Sequence, residues 1–185
     1  SEKQVYRIVI NAPIETVWNT LVKTDEARPF FFGSVCRTTG PALGAGQPYA
    51  MRSPDGKFTS VVGQVLEFNP PFLYKHTLQF TNNDDPACTV SYVLKEVPGG
   101  TEFSLITENV PTGTKMEKGM IQSTNYILRN VKSVAETGKA TFGGSLMLAM
   151  ISLMTPMMPS TPNTGAIKGR PDEAIETTAA MANNA

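Results

Sequence analysis

Apolar and polar positions alternate with a period that changes three times along the chain, and each change marks an element. Residues 4–10 (QVYRIVI) alternate as a strand and place Tyr6, Ile8 and Ile10 on one face. Pro13 then stands where a helix can begin without losing a hydrogen bond, and Ile14, Val17, Trp18 and Leu21 follow at helical spacing. Thr24 as a cap over Asp25 and Glu26 predicts a second short helix, ending in the run Phe30, Phe31, Phe32, Gly33. From there the pattern is strand after strand: 35–38, 49–53, 58–69, 73–80, 88–97 and 101–109. The Gly/Pro loop 40–48 and the turn sequences SPDG, NPP, NNDDP and PGG separate them. Tyr74, His76, Leu78 and Phe80 share one face against Lys75, Thr77 and Gln79, and Cys88, Val90, Tyr92 and Leu94 oppose Thr89, Ser91 and Lys95. Strands with one apolar and one wet face predict a curved antiparallel sheet.

After Pro111 the period lengthens again. Met116, Met120, Thr124, Ile127, Val131 and Val134 recur every three or four positions, a greasy stripe on a helix from Gly113 to Glu136. That helix measures ~36 Å at 1.5 Å per residue, and Gly138 is its natural stop. The order is that of an α+β domain: strand, two short helices, curved sheet, and one long C-terminal helix laid across it, an arrangement that can enclose a cavity. A boundary falls near Gly138, dividing the chain into a domain over 1–138, an apolar helical extension over 139–158 and a polar, poorly ordered tail over 159–185.

The extension carries no charge between Ala140 and Met158. It is long enough for a short membrane span, but Gly143, Gly144, Ser145, Ser152, Thr155 and Pro156 dilute it. A helix packed on its own domain or on a second copy is the expectation, with membrane-surface contact through 140–158 as the other reading. Pro156 and Pro159 should end that helix.

Composition narrows the chemistry. A chain of 185 residues with 41% hydrophobic and 17% charged positions builds one real core with an appendage. Sixteen basic residues balance 16 acidic ones, so there is no basic field for nucleic acid. Cys36 and Cys88 make neither a disulfide framework nor a metal cluster, and the start SEKQVYRIVI has no signal-peptide pattern, so a reduced cytoplasmic protein is expected. No metal or cofactor is expected. There is no GxSxG elbow, and GPALGAG lacks the Lys-Ser/Thr ending of a phosphate loop. Arg52, Glu67 and Glu108 alternate toward water.

The one histidine, His76, falls on the inward face within reach of Tyr92. An imidazole beside a phenol can polarise a carbonyl or act as a general base, and these two are the candidate catalytic residues. The competing expectation is a solitary histidine that bonds a backbone carbonyl, since no carboxylate stands at a fixed spacing from it. The candidate ligand-binding set is the inward apolar group Trp18, Phe30, Phe31, Tyr49, Met51, Phe68, Tyr74, His76, Tyr92, Phe103, Met116 and Met120, rings and adaptable thioethers with few polar anchors.

Three segments carry a family resemblance: VYRIVINAPIETVWNTLVK (5–23), GQVLEFNPP (63–71) and LRNVKSVAETG (128–138). They resemble the opening, middle and closing signatures of the SRPBCC (START-like) superfamily, and most closely the branch similar to the C-terminal domain of the activator of the heat-shock chaperone ATPase. The resemblance covers roughly residues 3–138 and implies the helix-grip fold. Two features depart from it: Met120 stands where many relatives carry a tryptophan, and the apolar stretch 140–158 lies outside the shared domain. The superfamily includes lipid and hormone carriers, polyketide cyclases and aromatases, and chaperone co-factors, so the fold alone leaves function open. Binding or carriage of a small hydrophobic or aromatic ligand is the first expectation. A cyclase, aromatase or isomerase-type enzyme is the alternative. A chaperone co-factor ranks third, because the activators act through an additional N-terminal domain whereas residue 1 here stands at the first strand.

Overall fold

In a computed structural model, residues 3–154 are described. Eight strands form one sheet: β1 (Gln4–Ile10), β2 (Ala27–Arg28), β3 (Ser34–Thr38), β4 (Pro48–Arg52), β5 (Thr59–Asn69), β6 (Leu73–Phe80), β7 (Cys88–Val97) and β8 (Gly100–Glu108). The order across the sheet is β1-β8-β7-β6-β5-β4-β3-β2. Every pairing is antiparallel. From β3 onward each strand pairs with the next one in sequence, as short turns dictate, while β1 closes onto β8 at the far edge. Gly99 carries the tight β7–β8 turn at φ 82°, a conformation that disfavours any side chain. Register shifts at Met51/Arg52 and Val65/Glu67 bend β4 and β5. The sheet curls into a half-barrel whose concave face receives the helices, and the α+β helix-grip expectation holds.

Helix α1 (Ile14–Val22) buries Ile14, Val17, Trp18 and Leu21. The expected second helix is instead the short strand β2 followed by a single 3₁₀ turn, Pro29–Phe31. The local reason is visible at both ends. Asp25 sits in the left-handed region at φ 63° and gives its N–H to the Cys36 carbonyl at 3.0 Å, which ties this segment to β3. Pro29 has no N–H to continue a helix. Phe32, at φ 55°, ends the turn by donating to the Pro29 carbonyl.

The long helix α2 (Lys115–Thr137) is held at both ends. The Thr114 hydroxyl accepts the Glu117 N–H at 3.2 Å, and the Glu117 carboxylate accepts the Gly113 N–H at 2.7 Å. At the other end Gly138, at φ 78°, donates to the Val134 carbonyl. Its buried stripe is Met116, Met120, Thr124, Leu128 and Val131. The stripe drifts by one position after Thr124, so Leu128 is buried and Ile127 only half-buried.

Helix α3 (Phe142–Met154) follows a short link. Its first turn is seated on α2 through the buried Asn130, whose amide oxygen accepts from the Thr141 N–H at 3.1 Å and the Thr141 hydroxyl at 3.2 Å. Gly144 presses so closely that a Cβ there would stand 2.2 Å from the same oxygen. Only one side of α3 meets the domain: Phe142 is 89% exposed, Leu153 78%, and Leu146, Met147, Met150 and Met154 also face outward. Packing on the domain therefore accounts for part of this apolar helix. No helix among the described residues is long and apolar enough to cross a membrane. The predicted stop at Pro156 and Pro159 and the polar tail over 159–185 lie outside the described residues.

Candidate functional site

A cavity of about 1110 Å³ opens between the concave sheet face, the 3₁₀ turn, α2 and α3. Tyr49 and Met51 of β4, Tyr74 and His76 of β6, and Tyr92 of β7 form the sheet wall, with Phe31 from the 3₁₀ turn and Met120 from α2. Seven of the twelve residues named from the pattern thus line one space. The other five do not line it. Trp18 packs on Phe68 at 5.3 Å between ring centroids, and Phe30, Phe103 and Met116 are fully buried core. Alternation tells which face a residue occupies but not whether a neighbour reaches it, and these five are reached.

The pattern also missed part of the wall. Thr124 and Ile127 line the cavity one and two turns beyond Met120, a position their place in the helical stripe already signalled. Cys36 of β3 and Leu148 and Ile151 of α3 line it too, and no local signal shows that the helix following the long one returns to the mouth.

Packing around His76 sets its chemistry. Its ring stacks on Tyr74 at 4.3 Å, with Tyr49 and Tyr92 meeting it edge-on at 5.4 and 5.1 Å between centroids. The expected reach to Tyr92 is present. The alternative expectation, a bond to a backbone carbonyl, is not met at Nδ1, which is buried without a hydrogen-bond partner among the described residues. Leaving such a group unpaired costs ~1–3 kcal/mol. Burial pushes the imidazole down to about 3, so it is neutral at physiological pH. The Tyr74 and Tyr92 phenols are raised by burial, and burial, aided by Asp25, pushes the Cys36 thiol up to about 12. The sheet wall is therefore polar in places and uncharged throughout.

Tyr49 is locked by its hydroxyl, which donates to the Thr77 carbonyl at 2.6 Å. Gly63 of β5 makes room for it, since a Cβ there would lie 2.5 Å from the Tyr49 ring and 2.0 Å from that carbonyl. Among the described lining residues charge appears only at the mouth, where Asp55 and Lys57 are exposed in the β4–β5 turn. Asp55 is engaged locally, accepting from the Ser53 hydroxyl at 2.6 Å and the Lys57 N–H at 3.0 Å. No group of three or more His, Cys, Asp or Glu able to hold a metal ion occurs among the described residues.

A curled antiparallel sheet gripping a long helix, with a hollow left between them, defines a helix-grip protein of the SRPBCC type. The profile of the family described as Activator of Hsp90 ATPase homolog 1-like protein matches residues 11–136, and the chain belongs to that family. No curated protein matches the chain. Among solved structures, the Aha1 dimer from Colwellia psychrerythraea is similar at 17% identity and a TM-score of 0.60, over 76% of this chain and 100% of that one. An HSP90 activator from Plasmodium falciparum is similar at 19% identity and a TM-score of 0.55, over 72% of this chain and 96% of its own. CalU16 from Micromonospora echinospora is similar at 17% identity and a TM-score of 0.55, over 80% of this chain and 82% of its own. At these identities the likeness establishes the fold and leaves the activity to the site.

Proposed function

We propose that this protein binds or carries a small hydrophobic or aromatic molecule in the cavity between sheet and long helix. The observation that carries the reading is the hollow itself, about 1110 Å³ walled largely by rings and aliphatic side chains. Ligand pockets run to ~300–1,000 Å³, so this one has room for several fused rings. A neutral fluorescent probe, N-phenyl-1-naphthylamine, should bind at one site per chain, and Met120→Trp should weaken it about tenfold by filling the space. Absence of binding, or binding untouched by Met120→Trp, overturns the reading.

The cyclase, aromatase or isomerase alternative draws support from His76 lying edge-on to Tyr92. The magnitude weighs against it as a base: with the imidazole near 3, protonating it at pH 7 costs ~5 kcal/mol. An imidazole of that kind is better suited to hold a ligand than to accept its proton. Turnover that His76→Gln abolishes, with ligand affinity kept within a few-fold, would reverse that ranking. The chaperone reading rests on the neighbour described as an HSP90 activator, and a rise in chaperone ATP turnover on addition of this protein tests it.

The outward apolar face of α3 supports contact with a second copy, in keeping with the neighbour described as a dimer. Sedimentation of the wild type against Leu153→Glu distinguishes a dimer, which the charge would dissociate, from a monomer indifferent to it.

A further inference from the structure

The polar groups along the cavity wall say what kind of molecule it selects, and this inference rests on the ligand-binding reading above. His76 lines the cavity, is 3% exposed, and its Nδ1 has no hydrogen-bond partner among the described residues. A neutral imidazole offers one donor and one acceptor nitrogen. Its surroundings offer no charge to compensate a buried ion: the rings against it are Tyr49, Tyr74 and Tyr92. The Tyr49 hydroxyl is already committed to the Thr77 carbonyl, and the cation among the described lining residues, Lys57, is exposed at the mouth. An anionic headgroup drawn to this wall would lose its hydration and meet no cation. A neutral hydroxyl would lose little, since it can give its proton to the imidazole lone pair and accept from a phenol.

We propose that the ligand enters as a neutral aromatic or polycyclic molecule bearing a hydroxyl, that this hydroxyl hydrogen-bonds to His76, and that the anionic form of the same skeleton is rejected. A site built around a buried polar group discriminates strongly against an analogue that leaves that group unpaired. This separates the protein from carriers of ionised amphiphiles, whose sites place a cation against the headgroup.

Four fluorescent probes of one skeleton test it on the full-length protein at pH 7: pyrene, 1-hydroxypyrene, 1-acetylpyrene and pyrene-1-carboxylate. The expected order places 1-hydroxypyrene about tenfold tighter than pyrene and at least about tenfold tighter than the carboxylate. His76→Phe, which keeps an aromatic ring between Tyr74 and Tyr92, should bring 1-hydroxypyrene to within about twofold of pyrene measured on the same variant. In the wild type, the imidazole nitrogen signals should shift on adding 1-hydroxypyrene and stay in place with pyrene, a readout that does not depend on the variant folding. Equal binding of pyrene and 1-hydroxypyrene, a hydroxyl advantage that survives in His76→Phe, a preference for 1-acetylpyrene, or tight binding of the carboxylate each overturns the inference while the cavity reading stands. Failure of all four to bind overturns both.

Discussion

The two halves of the sheet carry the same alternation and end differently. Toward the β1 edge, α1 lies against β7 and β8 while α2 lies against β1 and α1. That half is solid: Ile10, Val17, Phe103 and Val131 are sealed from solvent. Toward the β2 edge, the 3₁₀ turn packs against both α2 and α3, and these elements stand off from the strands, which present Tyr49, Met51, Tyr74 and His76 to a hollow. An inward ring becomes core where a helix reaches it and becomes wall where none does. The hollow is thus a consequence of incomplete coverage, since the hydrophobic residues on the two halves are of the same kind.

The largest effect should come from the solid half. Phe103→Ala empties fully packed space and should cost ~4 kcal/mol in denaturant unfolding, with probe affinity changed only a few-fold. A cost below ~1 kcal/mol would mean that this half is also hollow.

Next comes the pH response of the hollow half. The folded His76 is pushed from 6.5 to about 3, so the unfolded chain binds the extra proton between those values, and stability falls as pH drops below 6.5. The stabilisation of the neutral imidazole is complete above 6.5 and fades by up to ~1.4 kcal/mol per pH unit, or ~3 kcal/mol between pH 6.5 and 4. His76→Phe should remove that slope and leave the carboxylate contribution common to both proteins. Parallel stability curves for the two proteins would place His76 in contact with water rather than sealed against the wall.

Gly63→Ala should come third. The added methyl meets the Thr77 carbonyl and the Tyr49 ring, and displacing them should cost ~2 kcal/mol. It should also weaken probe binding, because Tyr49 is wall and not core. Weakened stability with unaltered binding would show that Tyr49 does not shape the site.

The smallest effect tests how α3 is seated. Gly144→Ala sets a Cβ against the buried Asn130 amide. It should lower global stability by only ~1 kcal/mol or less, while hydrogen exchange over 142–154 and probe release both accelerate. Unchanged release would mean that Leu148 and Ile151 contribute little to retaining a ligand.

Much of this architecture was legible in the chain. The strand bounds 73–80 and 88–97 agree with β6 and β7 residue for residue, although Ser91, expected on the wet face, is buried, and Gly138 ends α2 as its position suggested. The expected second short helix does not form: Thr24, Asp25 and Glu26 satisfy the composition of a helix start, whereas Asp25 turns left-handed and bonds to β3. Seven of the twelve inward residues line the cavity, and the remaining five could not be separated from them because both groups share a face.

What the sequence by itself determined is the set of local choices: which residues alternate, where a proline or glycine forbids continuation, and which faces are apolar. Those follow from backbone sterics and from the free energy of removing apolar surface from water, both written within a few residues of each position. Only the tertiary structure decided which inward side chains meet a helix and which meet empty space. It also decided that His76 lies among three tyrosine rings with Nδ1 unpartnered among the described residues, and that α3 returns to the cavity. Those outcomes depend on the curl of the sheet and on contacts between residues 50 or more positions apart, such as Tyr126 donating to the Pro29 carbonyl at 3.0 Å. No periodicity along the chain encodes a distance of that kind.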